Sequence, residues 1–233
     1  MCLSLVGSEM CIRDRPTPFI TFESLSHIGS VKHGFTTRND NIDVDCEREE
    51  AFSRLRPFYE KAIDAIGFTR HNFVFLEQVH GDKVIVIDSP NTSIQPFAKA
   101  DGLVTFKSNI LLGIFVADCC AVFITDIYGK GVSVVHSGKK GSELSIIKNA
   151  IMKFNDHGIP SSDLLVQLSP CIRPPNYEVD FVNAIFEDCI SCGVSKASIY
   201  VDSRCTSQHL DLFYSYRMEQ GKTGRMLAMI GKR

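Results

Sequence analysis

The stretch VADCCAVFITDIYGKGVSVVHSGKKG, residues 116–141, decides the fold and carries the chemistry. It holds two apolar runs, AVFIT at 121–125 and VSVV at 132–135, separated by Tyr128, Gly129, Lys130 and Gly131. Short β-branched runs bounded by glycine read as strands. Asp118, Cys119 and Cys120 precede the first strand and His136 closes the second. Upstream, the segment EQVHG (77–81) places His80 at the end of a further strand-like run. A thiolate and two imidazoles at separated strand ends can converge on one borderline metal ion. Zinc is the first expectation, because Cys and His are its common ligands.

On the N-terminal side, residues 17–24 read as strand-like and 33–38 as a glycine-bearing strand or loop. Residues 47–66 form an apolar-faced helix that Pro57 is expected to kink or split, with Gly67 as its stop. Residues 72–76 and 83–88 are expected as a hairpin around Gly81 and Asp82. Residues 89–98 read as loop, 103–105 as a short strand, and 110–116 and 121–125 as strands of the main sheet. On the C-terminal side, Leu144, Ile147, Ala150, Ile151 and Phe154 mark one helix face, with Ser142 as N-cap and Gly158 just past its end. Strand 164–168, a proline-rich loop at 169–179, a helix ending near Gly193 and a strand at 198–201 complete the pattern. Together these predict an α/β fold of mixed α+β layers.

The 233 residues suit one domain, placed at 16–233, and a 44% hydrophobic share supports a sizeable core. A net charge of −2 with no basic run gives no electrostatic reason to expect nucleic acid. No apolar run is long enough to span a bilayer. Nine cysteines, an odd number without a disulfide framework, read mostly as buried reduced thiols, Cys171, Cys189 and Cys192 among them. Residues 1–15, MCLSLVGSEMCIRDR, lack the basic and apolar regions of a signal peptide. Their end resembles a translated sequencing adaptor, so they are expected to be a non-native leader and Cys2 and Cys11 to carry no biology.

The separations His80–Cys119 and Cys119–His136 are 39 and 17 residues, so no zinc-finger spacing is present. Three protein ligands would leave a fourth position for water or substrate, the catalytic pattern. The same residues allow thiol catalysis, with Cys119 as nucleophile, His136 as base, and Asp118 or His80 orienting it. The two readings differ over metal dependence. Residues 137–141 offer a strand-to-helix turn with Lys139 and Lys140, a weak anion signal without Walker spacing. Arg38, Arg217 and Arg225 lie in Gly-, Ser- or Thr-bearing segments and suit bidentate contact with phosphate or carboxylate, the plainer alternative being surface arginines with carboxylate neighbours. Asp101 and Asp126 read as turn residues.

Eight segments in order complete the reading: HGFTTR (33–38), EQVHGDKV (77–84), ADGLVT (100–105), VADCCAVFITD (116–126), VVHSGKKG (134–141), SPCIRPPNYEV (169–179), RCT (204–206), and FYSYR with TGRM (213–226). As an ordered set they resemble the YfiH family, also called the laccase-domain or multicopper polyphenol oxidoreductase family, across nearly all of 18–230. The resemblance implies a single-domain fold with a mixed central sheet and flanking helices, and a zinc site of His80, Cys119 and His136 that is also the catalytic centre. It implies phosphorolysis of purine nucleosides (adenosine, inosine, guanosine or methylthioadenosine) to base and ribose 1-phosphate, with adenosine deamination beside it. Arg38, Gln78, Asp118, Lys139 and Lys140 are the expected substrate or phosphate contacts. The family's older name implies copper and phenol oxidation, although seven histidines are few for several coppers. Peptidoglycan precursor editing by a Cys–His hydrolase, or a non-catalytic interaction role, are the remaining readings.

Two segments depart from the family pattern. HAGWRG is HSGKKG here, with Lys139 and Lys140 replacing Trp and Arg, and PCCYEV is PPNYEV, with Pro175 and Asn176 replacing two cysteines. Positive charge survives and an aromatic wall does not, which bears on substrate preference more than on the three ligands. The expected partners are a purine nucleoside and phosphate, with neither nucleic acid nor membrane. The expected state is a monomer or weak homo-oligomer in the cytoplasm.

Overall fold

A computed structural model of the chain describes residues 18–90 and 95–233. The expected leader at 1–15, with Cys2 and Cys11, lies outside the described residues. In chain order the elements are β1 (Phe19–Ile20), α1 (Glu23–Ser26), β2 (Val31–Thr36), α2 (Arg48–Ala65), β3 (Phe73–Phe75), β4 (Val84–Val86), β5 (Gly102–Thr105) and β6 (Ile110–Val116). Then come β7 (Cys120–Asp126), β8 (Val132–Ser137), α3 (Lys139–Glu143), α4 (Ile146–Asp156), β9 (Leu164–Leu168), α5 (Phe181–Ser191), β10 (Ile199–Val201) and β11 (Met226–Lys232).

The expected mixed α/β class holds, but the strands divide between two mixed sheets, and β6 and β7, both expected in one main sheet, fall in different ones. One has the order β1-β2-β11-β6-β3 and the other β10-β9-β7-β8-β5-β4. The apolar run Cys120–Ile124 in β7 explains the layering, because a strand buried on both faces loses the polar half of its alternation. Ala121 and Phe123 join a core with Phe35, Leu112 and Met229 of the five-stranded sheet. Val122 and Ile124 face the other way, into a core with Ile147 and Ile151 of α4 and Ile185 of α5. The six-stranded sheet is thus covered by a sheet on one side and helices on the other. Along α2, Phe52 and Tyr59 pack on Phe115 of β6, at ring separations of 4.8 and 5.2 Å.

Several local expectations are corrected. The strands β3 and β4 form no hairpin: β3 pairs with β6 and β4 with β5, in different sheets. The segment between them crosses from sheet to sheet, and that crossing carries His80. Helix α2 runs through Pro57 without a break. Pro57 and Ser53, whose carbonyl loses its partner, both face solvent, where water replaces the missing bond. The helix expected from Ser142 is two, α3 and α4, joined at Ser145 in a left-handed conformation, with Leu144 exposed. The run at 17–24 contains the two-residue β1 and the start of α1 instead of one strand. Strand β11, between β2 and β6, has no counterpart in the sequence reading.

His33 on β2 is buried, and its Nε2 accepts the backbone N–H of Phe22 at 2.8 Å. Burial holds its pKa down at about 4, with Lys32 adding to the shift. Protonating Nε2 would also break the bond from Phe22. The unfolded chain takes up this proton below about pH 6.5 and the folded chain does so only near 4. His33 therefore contributes its full stability above pH 6.5 and loses on the order of 3 kcal/mol as pH falls to 4. Urea unfolding of the native chain and His33→Gln at pH 7 and pH 4.5 checks this. The native chain should lose more stability on acidification, and equal losses would reject the assignment.

Candidate metal centre

The antiparallel pairing of β7 with β8 sets Ala121 opposite His136 and Cys120 opposite Ser137. This register brings Cys119, just before β7, beside the end of β8. Asp101, just before β5, lies next to the pairing of Gly102 with Val135. His80 reaches the same place from the crossing segment, in a left-handed backbone conformation at φ 57°. The ligand atoms of His80, Cys119 and His136 all lie within 4.8 Å of one another. The two imidazole rings meet edge to face at 4.7 Å. His136 is buried, Cys119 half-buried and His80 exposed, so the cluster opens to one side.

Asp101 organises this centre, although its Ala-Asp-Gly context reads only as a turn. It is fully buried, and its carboxylate accepts the backbone N–H groups of Val79, His80 and Gly81 at 3.2, 2.9 and 2.7 Å. The same carboxylate lies 2.8 Å from His136 Nδ1. One side chain therefore shapes the His80 loop and fixes the His136 ring with Nε2 turned to the cluster. Burial opposes ionisation of Asp101, but the bond to His136 and those loop N–H groups outweigh it and lower its pKa.

Charges in the cluster reinforce one another. Burial alone would raise the Cys119 thiol; hydrogen bonds and the charges of His136 and His80 outweigh it and hold its pKa down at about 6. Burial would lower His136, and Asp101 with Cys119 push it up to about 9. A thiolate, an imidazole oriented by a carboxylate and a second, exposed imidazole are the donor chemistry of a zinc site with an open position. Asp101→Asn should preserve the fold and weaken metal affinity about 10–100-fold, the usual effect of losing a ligand's partner. Competition with a chromogenic chelator measures it, and unchanged affinity would remove Asp101 from the centre.

The remaining sequence candidates divide. Gln78 spends its amide on β6: Nε2 donates to the Phe115 carbonyl and Oε1 accepts the Phe115 N–H, both at 2.8 Å. It anchors the loop that presents His80. Asp118 accepts from the Thr206 hydroxyl at 2.6 Å and the Arg217 backbone N–H at 2.7 Å. It ties the Cys119 approach to the tail, with both oxygens engaged. Lys139 and Lys140 open α3 instead of lying in a loop, and both are exposed on the cleft. Arg38 is not brought to the cluster. It pairs with Glu219 at 2.8 Å, lies over Tyr214 and borders a separate depression. Asp126 is the turn residue expected, accepting from Tyr128 and Gly131.

A cleft of about 1200 Å³ is lined by His80, Cys119 and His136 together with the aromatic residues Phe115, Tyr177 and Tyr216. Arg48, Lys139, Lys140, Arg217, Lys222 and Arg225 also line it. Tyr177 stacks against the Arg217 guanidinium at 5.0 Å. An aromatic surface is thus supplied by the 177 and 216 loops, where the Trp of the family's HAGWRG segment is absent.

The family model described as Multi-copper polyphenol oxidoreductase laccase matches residues 29–188 and 179–233. The chain is 31% identical to Purine nucleoside phosphorylase YlmD of Staphylococcus aureus, covering 91% of this chain and 95% of that protein. It is 26% identical to Purine nucleoside phosphorylase SERP0752 of Staphylococcus epidermidis, covering 94% and 98%. Its fold is similar to the crystal structure of the hypothetical protein YfiH of Bacillus licheniformis, at a TM-score of 0.82 and 23% identity over 94% of this chain and 98% of that one. A similar match is YlmD of Geobacillus stearothermophilus, at a TM-score of 0.80 and 23% identity over 94% and 100%. Ordered motifs, fold and family match agree: the chain belongs to the multi-copper polyphenol oxidoreductase laccase family, the YfiH family of its sequence resemblance.

Proposed function

We propose that this chain is a zinc-dependent purine nucleoside phosphorylase that also deaminates adenosine. One observation carries the reading: a His80–Cys119–His136 donor cluster opens onto a cleft lined by aromatic rings and cations. Its relatives' names supply the substrate class. His80, Cys119 and His136 would hold the metal, which supplies Lewis acidity and lowers the pKa of water.

The chain's own residues account for the rest. Asp101 holds the His136 ring and the His80 loop in place. Tyr177 and Tyr216 offer flat faces to a purine. Lys139 and Lys140 draw phosphate towards the cleft. In phosphorolysis a phosphate oxygen bonds to C1′ as the C1′–N9 bond breaks. Positive charge grows on the ribose, and the bound phosphate lies where it stabilises that charge. Deamination exchanges the C6 amine of adenosine for oxygen from water. Among the described residues no helix is long and apolar enough to cross a membrane. The described cysteines are free, which suits a reducing cytoplasm.

The test assays the purified protein on adenosine, with and without phosphate, before and after metal removal. Adenine and ribose 1-phosphate formed only with phosphate, and lost on chelation, are expected. Inosine reports deamination. Neither product from zinc-loaded protein would overturn the proposal. Copper-dependent phenol oxidation would favour the oxidase reading, and chelator-resistant hydrolysis of a peptidoglycan precursor the Cys–His hydrolase.

A further inference from the structure

The cations of the cleft differ in what already neutralises them. Arg217 is paired with Glu178 at 2.5 Å. Lys139 and Lys140 are exposed and share their short helix with Glu143. Arg48, Lys222 and Arg225 have no carboxylate in ion-pair contact among the described residues, although Glu47 also lines the cleft.

Arg225 is held in place from several sides. Its Nη1 donates to the Thr223 and Gly224 carbonyls at 2.9 and 2.8 Å. Its own carbonyl accepts the Tyr59 hydroxyl at 2.8 Å, and its guanidinium lies over Tyr216 at 5.5 Å. Nε and Nη2 are left without a protein partner among the described residues, and they form the edge that grips a tetrahedral oxyanion with two parallel bonds. Arg48, the first residue of α2, lies over Phe52 at 5.5 Å. Burial first, then the like charge of Arg48, hold the Arg225 guanidinium below its ordinary pKa, while Asp118 acts in the opposite sense. Arg225 and Arg48 line the same cleft and neither is in ion-pair contact with a carboxylate among the described residues, so an anion bound between them relieves their repulsion.

We propose that Arg225 and Arg48, flanked by Lys222, form the anchoring site for inorganic phosphate, and that the exposed Lys139 and Lys140 only steer it in. The identity of the anion rests on the phosphorolysis reading. The site itself rests on the two arginines.

Calorimetric titration of the zinc-loaded full chain with inorganic phosphate tests the site without turnover. Arg48→Gln and Arg225→Gln should each weaken phosphate binding by about tenfold or more, the factor for one lost charge-assisted hydrogen bond. Arg48→Lys should recover part of it. In phosphorolysis the KM for phosphate should rise while that for the nucleoside stays within about twofold. Arg225 also braces its own turn, so the exposed Arg48 is the decisive position. A folded, zinc-loaded Arg48→Gln protein that binds phosphate like the native chain would overturn the site, as would a native chain that binds none. Phosphorolysis with an unchanged KM for phosphate would reject the site and leave the function standing. Phosphate binding lost in Arg48→Gln, with no phosphorolysis by the native chain, would reject the function and leave the site.

Discussion

Replacing Cys119 with alanine is expected to strip the metal from the protein and to lower phosphorolysis more than about 100-fold, beyond the loss caused by removing a ligand's partner. Only two imidazoles would remain, one of them exposed, and two donors fall short of the three that hold a catalytic zinc. The titration behaviour of the metal-free protein leads to the same sulfur. With its pKa at about 6, Cys119 is already a thiolate at pH 7.5, whereas His136, near 9, still carries a proton on Nε2. Zinc loading at pH 7.5 should therefore release about one proton from His136. That release should fade as pH rises through 9; affinity should fall about tenfold per pH unit as pH drops below 9, and more steeply below 6, where the thiol also becomes protonated. Calorimetry in buffers of different ionisation enthalpy reads the proton count, and elemental analysis reads the metal. An alanine variant that keeps one equivalent of metal and its activity would remove the thiolate from the ligand set. Loss of activity in that variant, with chelated native protein still active, would instead identify Cys119 as a nucleophile.

His80, Cys119 and His136 are legible in the sequence because each sits where a strand-like run ends, and strand ends are where a sheet presents side chains to a site. Asp101 is not legible, because an Ala-Asp-Gly turn carries no sign that β5 will set the carboxylate against His136. Its role exists only through the antiparallel register of β5 and β8. The hairpin expected around Gly81 fails for a related reason. Local turn chemistry is satisfied equally by a hairpin and by a crossing between sheets, and the long-range pairing of β3 with β6 decides between them. Strand β11 escapes notice because Met-Leu-Ala-Met-Ile-Gly-Lys has neither alternation nor many β-branched residues; burial between β2 and β6 makes it a strand. Arg38 resembles a phosphate ligand by type and context, and Glu219, far along the chain, claims it. Arg48 looks like one more surface charge until the fold sets it on the wall of the cleft that Arg225 also lines.

Gly138→Ala is the second substitution expected to have a large effect, and its cause is steric. The backbone of Gly138 is extended, at φ −116°, so any residue can adopt it. What the position lacks is room: a Cβ there would stand 2.4 Å from the sulfur of Cys119. Either the sulfur swings away from the two imidazoles or β8 shifts away from Cys119, and crowding of this kind costs about 1–3 kcal/mol. The variant should fold with a lowered unfolding temperature and bind zinc at least about tenfold more weakly. Phosphorolysis should recover in part as zinc is raised, since the donors are displaced and not removed. A double-mutant cycle isolates the cause. With Cys119→Ala in the background the colliding sulfur is gone, so Gly138→Ala should then cost little stability, giving a coupling of about 1–3 kcal/mol. Equal destabilisation in both backgrounds would show that the methyl group collides with something other than the sulfur. It would also refute the close fit of Gly138 on Cys119 as the reason glycine stands there.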